Sequence, residues 1–273
     1  MSQCEDIRFS NDTYRVLQVD DEGGQDSSGK RISDLSGPLA QGKFSIFYMS
    51  TYQTDFVLIK DRRLKQAIQL LQQNGFIFDL DSIEQCLGSS PNSIPQLDKK
   101  IENKPPQSII NKENFERSVL SDEFQCVGLN HHYRSEWAMT VLKILSYPEL
   151  ISFDTDKRFF SYTATSDGIS LIANQRILNL FEPESIFRDE ESQTFRVIQV
   201  NLAGSNLERC GIVWSISHPL ATEAHINLLY LSTFKSANVL VSSEDLGRAE
   251  EILTDDLENS KGMLAEIVLE PTL

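Results

Sequence analysis

The side chains best suited to nucleophilic or metal chemistry in this sequence are not spaced for it. Four cysteines, Cys4, Cys86, Cys126 and Cys210, stand far apart with no Cys-x-x-Cys pair, whereas a structural zinc site or a disulfide scaffold needs close, repeated spacings. A reducing compartment is the simpler setting. The histidines are His131, His132, His218 and His225, and none forms a His-Glu-x-x-His or mixed Cys/His pattern. A metal site is therefore not expected. No Gly-x-Ser-x-Gly elbow occurs, and the carboxylates show no pattern that would shield an acid/base pair. The run Gly37-Pro-Leu-Ala-Gln-Gly42-Lys43 has the spacing of a phosphate loop, but Phe44 stands where the magnesium-binding hydroxyl belongs. Its context is also reversed, since a helical pattern precedes it and a strand follows. The expectation is a chain with no catalytic residues, no metal and no cofactor.

The one stretch with binding chemistry is Asn201–Cys210, a loop leading to a helix that starts at Gly211. Free amides at a helix start, and the positive end of its dipole, attract a carboxylate, and glycine allows close approach. The alternative is that Gly211 only relieves a turn. Net charge narrows the partners. With 40 acidic and 25 basic side chains the chain carries −15 formally, and without a local basic cluster it repels phosphate backbones and anionic lipid. No nucleic acid and no membrane insertion are expected. The N-terminus lacks a basic start and apolar core, and no apolar run approaches the roughly 20 residues of a membrane span. A cytosolic, cytoplasmic location follows as an expectation.

An internal repeat supplies the framework. Pro38-Leu-Ala-Gln-Gly-Lys-Phe-Ser-Ile-Phe-Tyr-Met-Ser-Thr-Tyr52 returns as Pro219-Leu-Ala-Thr-Glu-Ala-His-Ile-Asn-Leu-Leu-Tyr-Leu-Ser-Thr-Phe234, one residue longer. In the first copy Thr13–Asp20 reads as a strand, and Ile32, Leu35 and Leu39 mark a helix face. Phe44–Thr51 and Phe56–Lys60 read as paired strands. A helix follows, capped by Asp61 and ended at Asn74-Gly75, and Phe76–Leu80 supplies a closing strand. The second copy predicts strands at Phe195–Val200, Ile226–Thr233 and Val239–Ser242. Its helices centre on Ile212–Leu220 and Leu246–Leu253, and Leu264–Leu269 closes it. Pro38 and Pro219 predict a kink or break in each first helix.

Between the copies, Phe124–Asn130, a helix over Trp137–Leu145, and a hairpin across Ser166-Asp-Gly168 predict a third, divergent unit. The proline-bearing, polar stretch before it is too poor in apolar groups to offset chain entropy and reads mainly as a flexible linker. The fold class is α+β: tandem βαββαβ units of ferredoxin-like type, with antiparallel sheets and helices on one face. The units span 11–80, 123–190 and 194–273, with the linker at 81–122. RNA-binding folds share this order, but their basic aromatic motif is missing.

Two sets of strings carry a family resemblance. Gly-Pro-Leu-Ala followed by Phe-Tyr-Met-Ser50-Thr-Tyr-Gln-Thr-Asp55, and Cys210-Gly-Ile-Val213 followed by His-Pro-Leu-Ala and Leu-Ser-Thr-Phe234, resemble the CASTOR family. These are cytosolic arginine sensors built from ACT domains related to aspartokinase regulatory regions. The resemblance covers about half the chain and implies that the first and last units correspond to the family's second and fourth ACT domains. It implies one amino acid held between them, with Ser45 and Ile46 contributing from the first unit. Cys210, Gly211, Ile212, Val213, Thr233 and Phe234 would contribute from the last. It also implies that the turn bearing Tyr52, Gln53 and Asp55 contacts a GATOR-type regulator of TOR signalling. Arginine-binding family members carry acidic residues where this chain has Arg209 and Ala237, so the implied ligand is a small amino acid, arginine or another. The implied role is non-enzymatic amino-acid sensing, and open edge strands would permit a homodimer. A constitutive scaffold that has lost its ligand, and a regulatory subunit of an aspartokinase-like enzyme, remain as alternatives.

Overall fold

The computed structural model describes residues 12–19, 28–87, 115–151, 158–188, 193–202 and 210–254. In the first unit β1 (Tyr14–Val19), α1 (Ser28–Gln41), β2 (Ile46–Ser50), β3 (Asp55–Lys60) and α2 (Leu64–Gln73) follow the expected order. Both hairpin strands pair antiparallel, with β3 between β1 and β2. Ile32, Leu35 and Leu39 recur three to four residues apart on α1, and all three are buried against the sheet. Gly75 takes φ of 89° and ends α2 in the left-handed region, where a side chain would be strained.

Several local expectations are corrected. Phe76–Leu80 forms no strand; the chain stays irregular and enters α3 (Leu80–Leu87). Ile77 and Leu80 are 97% and 74% exposed while Phe76 and Phe78 pack on the core, and among the described residues no strand pairs with the outer edge of β1. Asp61 does not cap α2 but pairs with Arg15 at 2.7 Å. Pro38 lies within α1 without ending it, because the helix has only three residues left to run. Pro219 instead marks a change of register, where the α-helix becomes a π turn. The linker expected at 81–122 holds α3 at its start and β4 (Arg117–Val119) at its end.

The middle unit contains β5 (Phe124–Leu129), α4 (Arg134–Ser146), β6 (Ser161–Ala164), β7 (Ile169–Asn174), α5 (Gln175–Leu178) and β8 (Ile186–Phe187). Its strands lie in the order β8-β5-β7-β6, a full βαββαβ sandwich. The last unit has β9 (Phe195–Asn201), α6 (Ile212–His218) running into the π turn Pro219–Glu223, β10 (Leu228–Ser232), β11 (Ser236–Ser242) and α7 (246–254). The predicted closing strand Leu264–Leu269 lies outside the described residues. On β9, the side away from β11 is taken by β4 and by the Phe124–Phe195 contact to β5, and the Arg117 guanidinium donates to the Leu253 carbonyl.

The path β1-β3-β2-β10-β11-β9-β5-β7-β6 makes one sheet. Its order shows what sequence spacing concealed: the first and last units are neighbours, joined through β2 and β10. One core spans both, with Ile32, Leu39, Tyr48 and Val57 meeting Ile216, Leu220, Tyr230 and Val239. The middle unit keeps its own core around Val127, Trp137, Ile144 and Leu171. Repeated apolar faces that neither unit can bury alone are covered by the other copy.

Candidate functional site

The first and last units meet about a local pseudo-two-fold axis between β2 and β10. Met49 lies opposite Leu231. On either side the Tyr48 amide donates to the Ser232 hydroxyl at 3.0 Å, and the Tyr230 amide donates to the Ser50 hydroxyl at 3.0 Å. Tyr48 and Tyr230 stack edge to face with centroids 6.3 Å apart. These are equivalent positions of the repeat, so the repeat is the sequence image of the interface. Above the sheet α1 packs on α6. A Cβ on Gly37 would come within 3.3 Å of Trp214, which shows how closely the helices approach. Trp214 stacks on His218, whose Nδ1 lies 3.0 Å from the Ser33 hydroxyl.

The axis creates two equivalent junctions, each where a helix start meets the beginning of the other unit's strand, and they are filled differently. At one, the Asn227 side-chain carbonyl accepts from the Gly29 amide at 3.0 Å and from the Ser28 hydroxyl at 2.7 Å. At the other, Ser45 bridges Cys210, and Gly211 takes φ of 86° immediately before α6. Ser45 lies five residues before Ser50 and Asn227 five before Ser232, so they hold the same place in the repeat. An amide side chain satisfies the helix amide at the first junction. A shorter hydroxyl stands at the second.

The residues named from sequence fall into two groups. Ser45, Ile46, Cys210, Gly211, Ile212 and Val213 gather at the second junction; Ile212 and Val213 are buried, while the other four are partly exposed. Thr233 and Phe234 follow β10, and counting three residues outward from the Leu231–Met49 pair aligns Phe234 with Ile46. Phe234 is 73% exposed. Ala237 is buried within β11, and Arg209 lies outside the described residues.

The turn residues do not behave as a unit. Tyr52 is half-buried and its amide donates to the Ser170 hydroxyl of the middle unit at 2.9 Å, whereas Gln53 is exposed. Asp55 faces inward, 1% exposed, with its Oδ2 2.6 Å from Arg31 Nε and 3.1 Å from the Tyr48 hydroxyl. It holds α1 to the sheet and is not a surface contact here. Burial first, and then the Asp55 carboxylate, push the Tyr48 phenol well above its ordinary range. Burial alone does the same for Tyr230. Sequence reading missed Asn227, Arg31 and the serine pair. Asn227 was within reach by aligning the repeat copies residue by residue; Arg31 left no such signal.

Comparison with known families matches the ACT domain to residues 9–73 and 190–255, the two units that share this axis. These two units are ACT domains. The chain's fold is α+β, and the middle unit adds a third βαββαβ sandwich of the same strand order. The ACT-domain protein is similar to the cytosolic arginine sensor for mTORC1 subunit 1 of Homo sapiens, being 24% identical over 265 residues, which are 90% of this chain and 77% of that protein. The Mus musculus protein of the same name is 24% identical over 261 residues, covering 90% and 76%. Among solved structures, protein Atu0741 from Agobacterium tumefaciens matches at 21% identity with a TM-score of 0.38, covering 53% of this chain and 90% of that one. The regulatory subunit of aspartate kinase from Thermus flavus matches at 12% and 0.34, covering 51% and 95%. The resemblance to CASTOR sensors thus extends along most of the chain.

Proposed function

We propose that this ACT-domain protein is a non-enzymatic, cytosolic amino-acid sensor. In this reading the junction of Ser45, Ile46 and Cys210–Val213 holds one free amino acid, with Thr233 and Phe234 at its mouth. The observation that carries it is the asymmetry of the two junctions. Where Asn227 stands, a side-chain carbonyl oxygen already satisfies the helix start, which marks that position as built to receive an oxygen acceptor. Where Ser45 stands, a ligand carboxylate takes that part, held by amides near Gly211, while the carbonyls and hydroxyls of the strand starts accept from its ammonium group. The buried Ala237 offers no anion for a guanidinium, and a buried cation left without its partner costs about 3–5 kcal/mol. A neutral amino acid is therefore the ligand of choice over arginine.

A ligand bridging two units favours one relative orientation of them. That couples the junction to the turn at Tyr52 and Gln53, which is offered here as the contact for a GATOR-type regulator of TOR signalling. Asp55 acts from beneath, by holding the turn in shape. The test is calorimetry of the full chain against the twenty amino acids, repeated with Ser45→Asn and Gly211→Ala. The expected result is saturable heat with a neutral amino acid, lost in Ser45→Asn because the new side chain plugs the junction as Asn227 plugs its equivalent. Absence of heat throughout, or unaltered binding by Ser45→Asn, overturns the reading.

A further inference from the structure

The first and last units are joined by the same two elements in each, the first helix and the second strand. α1 and α6 run antiparallel: a Cβ on Gly29 would come within 3.2 Å of Ala221 and one on Gly37 within 3.3 Å of Trp214, and between them Ser33 lies 3.0 Å from His218. Beside the helices the edges of β2 and β10 pair. The contacting residues hold a fixed place on the helix. Ser33 stands one position after Ile32, which belongs to the core, and Gly37 lies one turn further along the same stripe.

The middle unit has the same helix and the same strand, and among the described residues neither is covered. β6, its second strand, ends the sheet path with β7 on one side only. On α4, Trp137 and Ile144 enter the core seven residues apart, as Ile32 and Leu39 do on α1. That match puts Ala138 and Leu142 in the places of Ser33 and Gly37, on the side of the helix that α1 turns to its neighbour. Ala138 is exposed, and Met139, Leu142 and Leu145 are 57%, 54% and 57% exposed. A helix with one face in a core is ordinarily polar on the rest. Three large apolar side chains on adjoining turns instead form a contiguous patch of the kind that marks a contact surface.

We propose that this face receives a second copy of the chain, the two middle units meeting about a two-fold axis. α4 packs antiparallel on its equivalent and β6 pairs with its equivalent, as α1 and β2 meet α6 and β10 within one chain. The second copy is favoured over an unrelated helix because the stripe is complementary to itself. Pro38 and Pro219 are equivalent, so Trp214 holds the place of Ser33 and His218 that of Gly37. Carried onto α4, the Gly37–Trp214 and Ser33–His218 contacts set Leu142 against Ala138 of the second copy and Leu145 against Ser135 of the second copy, each twice. Large side chains then meet small ones, the condition for close helix packing. The contact stands apart from the amino-acid reading, since it uses no residue of the Ser45 junction.

The test is sedimentation equilibrium of the full chain from roughly 1 to 100 μM, comparing wild type, Leu142→Glu and Leu180→Glu. Leu180 is 45% exposed in the same unit but outside α4, so its variant adds the same charge without touching the stripe. Because both side chains are exposed, each variant should keep the wild-type circular dichroism and melting temperature of its monomer. The expected wild-type species has twice the mass of one chain. Leu142→Glu buries an unpaired carboxylate on each copy and should raise the dissociation constant roughly a hundredfold or more, while Leu180→Glu leaves it unchanged. The double variant Ala138→Cys with Leu142→Cys should link two chains on oxidation, above the background of the native cysteines. A wild-type monomer at every concentration overturns the proposal, whether the stripe is then covered by another segment of the chain or by a different protein. So does a dimer that survives Leu142→Glu, one that parts equally in Leu180→Glu, or one that the cysteine pair fails to link.

Discussion

Replacing Asp55 by Asn tests the claim that this residue of the turn is structural. Its side chain is 2% exposed and that of Arg31 15%, with Nε and Oδ2 2.6 Å apart. The change is isosteric and leaves an oxygen to accept from Tyr48, so packing is preserved and only the charge is lost. Removing one member of a buried pair costs about 3–5 kcal/mol, chiefly because the other charge stays buried. Arg31 retains a little solvent and the amide still accepts its hydrogen bond, so the lower end applies, about 3 kcal/mol. For a protein of this size that lowers the melting temperature by roughly 6–12 °C. Urea unfolding can be followed at its two tryptophans, Trp214 on α6 in the first-and-last body and Trp137 in the middle core. The loss should appear at Trp214. The double variant Arg31→Met with Asp55→Leu should recover most of it, since apolar replacement of a buried pair is often neutral. A loss below about 0.5 kcal/mol in Asp55→Asn, or a double variant no better than the single, would refute the argument. Partner capture by Asp55 variants must then be measured at a temperature where they remain folded.

Two other outcomes follow from the same body of the molecule. Gly42→Ala would place a Cβ 2.6 Å from both Leu70 Cδ2 and Phe44 Cε2, and such overpacking should lower stability by about 1–3 kcal/mol in denaturant titration. The phenols of Tyr48 and Tyr230 are pushed above the ordinary value of 10.0, so the folded state keeps protons that the unfolded chain releases. Their contribution is whole below pH 10 and declines as pH rises above it. Stability measured from pH 7 to 11 should therefore fall beyond about pH 10, and Tyr48→Phe should flatten that fall.

Much of the fold was legible because it is written in short-range periodicity. The apolar run Phe56-Val-Leu-Ile59 marked β3, and Ile32, Leu35 and Leu39 marked the buried face of α1. Phe76–Leu80 was misread because its apolar residues have the composition of a strand, whereas Phe76 and Phe78 pack on the shared core from an irregular segment. Asp61 failed as a cap for a similar reason: its geometry suited a helix start, but Arg15 on the neighbouring strand was a better partner. Of the candidate site, the helix start at Gly211 was read from the residues and Ser45, Cys210, Ile212 and Val213 only from the family resemblance, while Asp55, placed with the partner-contacting turn, is buried.

The sequence by itself determined that two copies of one βαββα pattern flank a third unit, because each copy carries the same spacing of apolar residues, Pro-Leu-Ala and Tyr-x-Ser-Thr. Only tertiary structure decided that these copies, more than a hundred residues apart, share a core through β2 and β10. It alone revealed that Asn227 fills one junction while Ser45 leaves the other to a shorter side chain. Local patterns report which face of an element must be buried, since that depends on residues a few positions apart. Which surface buries it, and which side chain meets each of two equivalent helix starts, depends on partners whose choice costs loop-closure entropy and is settled by the fit of whole faces.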